Sequence, residues 1–586
     1  MHFYEEWALR IVGGQLTDHQ AFYGLPLYPY LLAVFYKLFG YSAFVPALVQ
    51  SCADGVTAVL IFKTALLVFD RPRPAQETGA AREQRRLRTS PALVVALCAA
   101  GGWALFVAAQ AYAVILMPIA LGTCAFWLLV FQLLKRDEAP GRLACFGMGW
   151  AIGLAAVAVA TVSALIPLVL AAIVAKPQAQ TVENPRRSRS IGVILLLAGL
   201  VVGSAPCWVH NFWIARDPVV LSAHAGVNFW IGNNPTATGY PHFPGLRAGQ
   251  AEMLEDSIVV AERAAGRRLM RSEVSAYWSN QARDYILSQP MAWIGLLGKK
   301  IVNFWNAFEY DDLSIIRRLQ TERVLLPGLR FGLIAALAIP GAFFAMRGFP
   351  RGRWVAAAIL LQMLAVLPVF VTERYRIAVV PGLLIFAAFG LVWLWQQLAR
   401  LELRSAALYM VMLAGTTAFV SLPPNDLSVW ALGAYNSGRQ ALEQGDLARA
   451  EAELQRAKAY APGNPEAAFA LGNVRLAQGD RAGAKAFYTQ TLAREGTHKR
   501  ALNNLGVMAL GDGRADIAEV YFTRALDQEP GNANTQYLLA RALLAQYRPD
   551  AAKSHIEQAL SSKPNQPEFL ALRDQIDSAL AAASKP

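Results

Sequence analysis

Long apolar runs alternate with short polar segments before residue 423. Several runs reach the roughly 20 residues that a helix needs to cross a bilayer. They predict spans at about 41–69, 91–110, 113–134, 191–214, 325–346, 354–371, 377–398 and 405–421. The apolar stretch at 144–175 has basic residues on both flanks, so two short or broken helices are expected there. The pattern predicts an all-α protein that begins with a polytopic transmembrane helix bundle.

A different pattern follows, with a period of 34 residues. Small residues recur at this step in two columns, Gly438, Gly472 and Gly506, and Ala450, Ala484, Ala518 and Ala552. Such columns are typical of tetratricopeptide repeats, in which small residues lie where the two helices of a hairpin touch. The predicted domains are a transmembrane domain over 1–422, a linker over 423–430, an α-solenoid of four repeats over 431–566, and a capping helix and tail over 567–586. The solenoid groove would bind a protein partner or an acceptor; a spacer or a self-association element is the alternative.

Charge sets the expected orientation. The 586 residues are 55% hydrophobic and 16% charged, with a net charge of +13. The basic residues cluster in short loops between spans, which is the usual signal for the cytoplasmic side. This distribution argues against a nucleic-acid partner for the chain. It also predicts a multi-pass membrane protein, with residues 1–24, 215–289, 373–376 and the repeats outside the cytoplasm.

Two arginines lie in a five-residue gap between two of the apolar runs. The gap is Thr372-Glu373-Arg374-Tyr375-Arg376. So short a gap holds both guanidinium groups at the membrane surface, and arginine offers a planar fork of donors suited to phosphate. The doublet therefore predicts a pocket for an anionic headgroup. The alternative is snorkelling at the interface, with Glu373 as the ionic partner.

Further polar residues fall on the same predicted side. Asn233 and Asn234 lie in a turn beside glycine and proline, where their amides would contact hydroxyl or phosphate groups. An ordinary Asx turn is the alternative reading. Lys300 precedes an aromatic pair and Glu309, which suits a lipid-phosphate site or simple anchoring at the membrane surface. The five cysteines show neither disulfide nor zinc-ligand spacing, so no metal site is predicted.

The first residues have the spacing of an amphipathic helix. Tyr4, Trp7, Ala8 and Ile11 share one face, which would rest on the membrane. Glu5 and Glu6 are the nearest carboxylates for general-base work, although a solvated helix face explains them as well.

Several motifs together resemble one enzyme family. They are YxxWAxxIxxG, FYxxPLYPYLL, NFWIGNNP, KKxxxFWNxxE and ERYRIAVVP. Over roughly residues 1–420 the chain resembles the GT-C glycosyltransferases that depend on polyprenyl-phosphate sugars, related to protein O-mannosyltransferases and the lipid A aminoarabinose transferase. Members of that family also occur fused to tetratricopeptide repeats.

The resemblance implies an inverting transfer of a sugar from a polyprenyl-phosphate donor to an acceptor hydroxyl of the cell envelope. It also implies a bacterial inner membrane, with the site and the repeats on its periplasmic side. Arg374, Arg376 and Lys300 would bind the donor phosphate, and Tyr4, Asn233, Asn234, Tyr375 and Glu309 would contact substrate. The family's acidic general base would fall at or before Met1, and its first span is missing too, so Glu5 and Glu6 stand as weak substitutes. The resemblance leaves the use of a divalent metal open.

Two other functions remain open from the sequence. One is a catalytically inactive, membrane-anchored scaffold for envelope polysaccharide assembly. The other is a ligase or polymerase of the O-antigen type, with a similar topology.

Overall fold

The computed structural model describes residues 2–70, 90–177, 184–241, 250–310, 316, 319–320, 322–422 and 428–583. The chain forms two compact units, 1–424 and 425–586. Both units are built from helices, and across the described ranges the only extended pairing is a single bridge between Phe106 and Leu329. The all-helical prediction is confirmed.

The first unit has eighteen α-helices in its described part, joined by short 3-10 and π segments. They are α1 His2–Val12, α2 Leu27–Phe39, α3 Phe44–Phe69, α4 Pro91–Ala104, α5 Val107–Val114, α6 Ile119–Leu134, α7 Arg142–Ala156, α8 Ile166–Ala175, α9 Pro185–Val209, α10 Ala225–Gly232, α11 Gln250–Ala265, α12 Arg271–Ser288, α13 Pro290–Trp305, α14 Phe331–Gly348, α15 Pro350–Val366, α16 Glu373–Arg376, α17 Val380–Ala399 and α18 Leu403–Val420.

Within the described ranges, five helical segments are long and apolar enough to cross a membrane. They are Phe44–Phe69, Pro185–Ile214, Phe331–Gly348, Glu373–Ala399 and Leu403–Val420. A sixth span is counted if α5 and α6, which meet at an angle of 116°, are taken together. The stretch 144–175 is broken between α7 and α8, as its basic flanks predicted. The arginine-rich loop 71–89 lies outside the described residues.

The expected spans 91–110 and 113–134 have different boundaries in the structure. Helix α4 ends at Ala104 because the chain becomes extended at Phe106, where it pairs with a distant segment. Leu329 donates its backbone N–H to the carbonyl of Leu105 at 2.8 Å and accepts one from Val107 at 3.3 Å. The two segments are far apart in the chain, so the local pattern of apolar residues could not predict that α4 ends here.

Helices α7 and α9 pack backbone against backbone. They meet at two pairs of glycines, each four residues apart: Gly149 and Gly153 on α7, and Gly199 and Gly203 on α9. A β-carbon at Gly149 would lie 2.1 Å from the carbonyl oxygen of Leu196, closer than two such atoms can approach. Small residues at this spacing are typical of close helix pairs in membranes.

The second unit contains nine helices in its described part. They are α19 Ser428–Glu443, α20 Leu447–Tyr460, α21 Pro465–Ala477, α22 Arg481–Arg494, α23 Lys499–Gly511, α24 Ala515–Gln528, α25 Ala533–Ala545, α26 Pro549–Ser562 and α27 Pro567–Ala583. Residues 423–427 of the expected linker lie outside the described residues, and α19 begins at Ser428 within the rest of it.

The glycine column of the repeats has a packing cause. A β-carbon at Gly472 would lie 2.5 Å from the ring of Tyr488, and one at Gly506 would lie 2.5 Å from the ring of Phe522. Each glycine therefore admits an aromatic ring from the second helix of its own hairpin. At the C-terminal end, α27 buries Phe569 and its neighbours against α26 while its opposite face is polar and exposed.

Candidate functional site

The structure separates the two arginines of the doublet. Arg376 is 1% exposed, and its guanidinium forms an ion pair with the fully buried carboxylate of Glu373. It also donates hydrogen bonds to the carbonyls of Asn306 at 2.7 Å and Phe308 at 2.9 Å. The group lies 4.0 Å from the ring centre of Phe331. These contacts surround Arg376 with protein atoms and give it a structural role. Its contact with a donor phosphate stays a prediction.

Arg374 points elsewhere. It is half-buried and lines a pocket beside α6, the 3-10 segment after α7, and α15. The pocket is a small recess whose interior has room for about one water molecule, apart from its open mouth. Its lining consists of polar Thr123, Thr161, Gln362 and Arg374, and of Ile119, Gly122, Phe126, Val159, Val162, Ile377 and Ala378. A cation thus stands at the edge of a largely apolar recess.

Gln362 is a second polar feature of this pocket. Its side chain is 0% exposed. The amide nitrogen makes a long hydrogen bond of 3.4 Å to the carbonyl of Tyr375, and the amide oxygen has no partner within the described residues. A buried acceptor without a donor costs free energy, so it is a position where a ligand hydroxyl or a water would bind.

The electrostatic influence of Arg374 extends to two aromatic side chains. Burial raises the pKa of Tyr4, and the charge of Arg374 partly opposes that rise. Burial, and to a lesser degree Arg374, lower the pKa of His224 to about 3. The imidazole is therefore neutral at physiological pH. It stacks on Tyr23 with ring centres 4.5 Å apart, and its buried Nε2 has no hydrogen-bond partner in the described structure.

Of the N-terminal candidates, Tyr4 lies nearest to the doublet. It sits on α1 and contacts the ring of Tyr28 edge-on, with centres 5.4 Å apart. Glu5 accepts a hydrogen bond from the hydroxyl of Tyr41, beyond the end of α2, and Glu6 is exposed. Neither carboxylate lines the pocket at Arg374. Their assignment as a general base stays a prediction.

Asn233 and Lys300 form a buried polar cluster of their own. The side-chain oxygen of Asn233 accepts from Lys300 at 3.1 Å and from the indole of Trp293 at 3.0 Å. Its amide nitrogen donates to the carbonyl of Pro368 at 2.6 Å. Lys300 is 0% exposed and also donates to Leu367 at 2.9 Å, and burial lowers its pKa to about 7. Both side chains are engaged in holding α13 to the end of α15.

Asn234 and Glu309 are also engaged within the protein. The side-chain oxygen of Asn234 accepts from the backbone N–H of Thr236 at 2.9 Å, the geometry of an Asx turn. Glu309 accepts from Arg330 at 2.6 Å and from the backbone N–H of Phe331 at 2.9 Å. These bonds position the segments around the site. Substrate contacts by either residue stay predictions.

The sequence reading missed Gln362 and His224. Gln362 had a signal, since it is a single amide inside the apolar run 354–371. His224 had none, because its burial depends on the distant Tyr23. As to metals, the described residues contain no group of three or more His, Cys, Asp or Glu side chains that could hold an ion.

Comparison with known proteins identifies only the repeats. A sequence profile of the tetratricopeptide repeat matches residues 441–505 and 509–576. No curated protein matches the chain.

Solved structures with similarity to the chain include the MamA protein, with 19% identity over 27% of this chain and 89% of that chain, at a TM-score of 0.23. Another is PilF of Pseudomonas aeruginosa, with 22% identity over 27% of this chain and 77% of that chain, at a TM-score of 0.23. The profile match confirms the predicted tetratricopeptide repeats, which support a protein-interaction role for the C-terminal unit.

Proposed function

We propose that this chain is a membrane-embedded transferase that binds a polyprenyl-phosphate sugar at Arg374. The observation that carries the proposal is the pocket itself, where a guanidinium and a buried amide edge an apolar recess. The groups of this recess complement those of a lipid-linked sugar. The cation would bind the anionic phosphate, the amide would bind a hydroxyl group, and the apolar side chains would contact the isoprenoid chain. The sequence motifs within residues 1–420, which resemble those of the GT-C enzymes, support the same function.

The chemistry assigns one task to each kind of side chain. The donor phosphate would lie at the mouth beside Arg374, and a sugar hydroxyl would donate to the amide oxygen of Gln362. Phe126 and Val162 would contact the first isoprene unit. The acceptor oxygen bonds to the anomeric carbon as the carbon–oxygen bond to phosphate breaks, and polyprenyl phosphate leaves with the bonding electrons. The acceptor proton passes to a carboxylate, for which Glu5 and Glu6 are the candidates.

Arg374 would act by stabilising the leaving group. The phosphate gains negative charge as the bond breaks, and a fixed cation beside it in a poorly hydrated recess lowers the barrier. The same cation would contribute to ground-state binding of the lipid phosphate. Arg376 would hold the doublet in place through Glu373 and the carbonyl of Asn306.

Binding of a short polyprenyl monophosphate to the protein in nanodiscs tests this proposal. Arg374→Gln should weaken binding about 10- to 100-fold, from the roughly 1.5–3 kcal/mol of a hydrogen bond to a charged group. Arg353→Gln is the matched control, because this arginine is exposed at the start of α15 and away from the pocket lining. Equal binding by both variants would contradict the proposal.

A second candidate function is a membrane-anchored scaffold without catalysis. The match of the repeats, together with the internal bonding of Arg376, Lys300 and Asn233, favours it. Transfer of one sugar from a polyprenyl monophosphate would support the transferase. Transfer of a whole preassembled glycan would indicate a ligase instead, and absence of both with intact partner binding would indicate the scaffold.

The proposal also includes a location, with the pocket and the repeats on the periplasmic side of an inner membrane. It is supported by the basic loops and by the five apolar segments of membrane-spanning length in the described ranges. Periplasmic labelling of a cysteine introduced at Tyr547, whose side chain is 93% exposed, should succeed in intact cells. Labelling only after lysis would contradict this orientation.

A further inference from the structure

Helix α13 has two faces of unusual character. The face turned into the protein contains Leu296, Lys300 and Phe304, all 4% exposed or less. The opposite face is apolar and uncovered, with Met291 77% and Ile294 54% exposed. The ammonium group of Lys300 is thus inside, between two apolar side chains, while the outer face is apolar too, unlike that of a helix on a water-facing surface.

The hydrogen bonds of α13 show how it lies. Near its start, Trp293 donates to Asn233, whose amide donates to the carbonyl of Pro368 just beyond α15. Lys300, in its second half, donates to Leu367, also at the end of α15. After its end, Asn306 donates to the carbonyl of Leu422 at 2.7 Å, beyond α18. Helix α13 therefore packs against the segments that follow α15 and α18.

The same end of the molecule carries the arginine doublet. Arg376, at the start of the apolar segment Glu373–Ala399, donates to the carbonyl of Asn306, which follows the last turn of α13. A cation at this position is favourable because the carbonyls of a helix C-terminus carry partial negative charge. The ends of three apolar helices thus meet α13 on one side.

We propose that α13 lies in the plane of the membrane surface, with Met291, Ile294 and Ile301 inserted among the lipids. The occupant of the apolar face is a lipid bilayer, because a neighbouring helix also exposes apolar side chains, such as Val411 on α18, which is 70% exposed. Lys299 is exposed at the border of the apolar face, where anionic headgroups would meet it. The inference rests on the proposed membrane location.

The role of α13 would be to hold the candidate site at a constant depth relative to the membrane surface. One face of α13 would contact lipid, and the carbonyl of Asn306 at its C-terminal end accepts a hydrogen bond from Arg376. Together these contacts would keep the doublet at the boundary between lipid and water. Arg374, two residues away, is then held where a lipid phosphate lies. This use of the membrane surface is separate from catalysis and would serve a scaffold equally.

Photocrosslinking in nanodiscs tests the inference without altering the native cysteines. Benzoylphenylalanine is introduced at Met291, at Val411 as the positive control, and at Arg283, an exposed polar position on α12, as the negative control. Crosslinks to phospholipid at 291 and 411, and none at 283, are expected.

The other outcomes separate the two proposals. Lipid adducts at 411 without any at 291 would overturn the inference and leave the membrane location intact. A crosslink from 291 to a second copy of the chain would also overturn it. Lipid adducts at neither position would remove the membrane location and the inference together.

Discussion

The carboxylate of Glu373 and the guanidinium of Arg376 form an ion pair that is closed to water, with exposures of 0% and 1%. The pair joins the first and last residues of the short helix α16. It turns Arg376 toward the end of α13 and leaves Arg374 on the pocket side. One doublet in the sequence thus supplies a structural group and a candidate ligand-binding group.

Removing one partner of this pair should destabilise the protein strongly. Arg376→Met removes the buried cation that faces the Glu373 carboxylate, and we expect a loss of about 3–5 kcal/mol of unfolding free energy. Thermal unfolding in detergent measures the change. The double variant Glu373→Leu/Arg376→Met removes both charges and should recover most of the loss. A single variant as stable as the parent protein would contradict the structural role of Arg376.

The contact between α7 and α9 makes a second prediction. Gly199→Ala would place a methyl group 2.2 Å from the carbonyl oxygen of Phe146, so the helices must separate, at a cost of about 1–3 kcal/mol. Gly147→Ala, on the same helix pair, meets nothing within 4 Å and should be neutral or slightly stabilising. Melting temperatures of the two variants, compared in one detergent, decide between close packing and a loose crossing.

The repeats contain a pH-dependent contact. Glu466 accepts from Arg500 at 2.7 Å and from the hydroxyl of Tyr435 at 3.0 Å. Burial opposes its ionisation, but the hydrogen bond from His498 and the charge of Arg500 outweigh burial and lower its pKa to about 2. A lowered carboxyl pKa stabilises the fold above the unfolded-state pKa of about 4.3, and this stability is lost as the pH falls toward 2.

Calorimetry of the full chain tests this expectation. Glu466→Gln should lower the melting temperature of the repeats at pH 7, and the difference from the parent should shrink as the pH falls from about 4.3 to about 2. Glu443→Gln removes an exposed pair with Arg439, worth about 0–1 kcal/mol, and serves as the control. A difference that is constant with pH would show that the charge of Glu466 is not involved.

Gln362→Leu separates a ligand-binding role from a structural one. The glutamine oxygen is buried without a donor in the described structure, so leucine should leave stability unchanged or raise it by about 1–2 kcal/mol. The same variant should weaken binding of a polyprenyl-phosphate hexose more than binding of the sugar-free lipid. Loss of stability, with equal effects on both lipids, would mean that Gln362 serves packing alone.

The repeats were predictable because their packing is local. Three of the four hairpins place a glycine of the first helix against a side chain 16 residues later, and Ala540 takes this place in the fourth, so a small residue returns every 34 positions. The profile match over 441–505 and 509–576 confirms this reading. The helical character of the first unit was equally plain from its apolar runs.

The site was less accessible from sequence because its contacts are long-range. Which arginine faces the pocket depends on the carbonyl of Asn306, 70 residues before Arg376. The hydrogen bonds of Asn233 depend on Lys300 and on Pro368, which lie 67 and 135 residues later in the chain. Helix α4 ended early for the same reason, through the pairing of Leu105 with Leu329. The spacing of apolar residues predicts which face of a helix is buried, but it does not predict which other segment covers that face.

The glycine contact limits how the pocket could enlarge. Where two backbones touch, no side chain is present to change its rotamer, so α7 and α9 would shift only as one body. The segment after α7 forms one wall of the recess through Val159 and Val162. Entry of a ligand larger than the present opening would therefore require movement of the opposite wall, which α15 and α16 form.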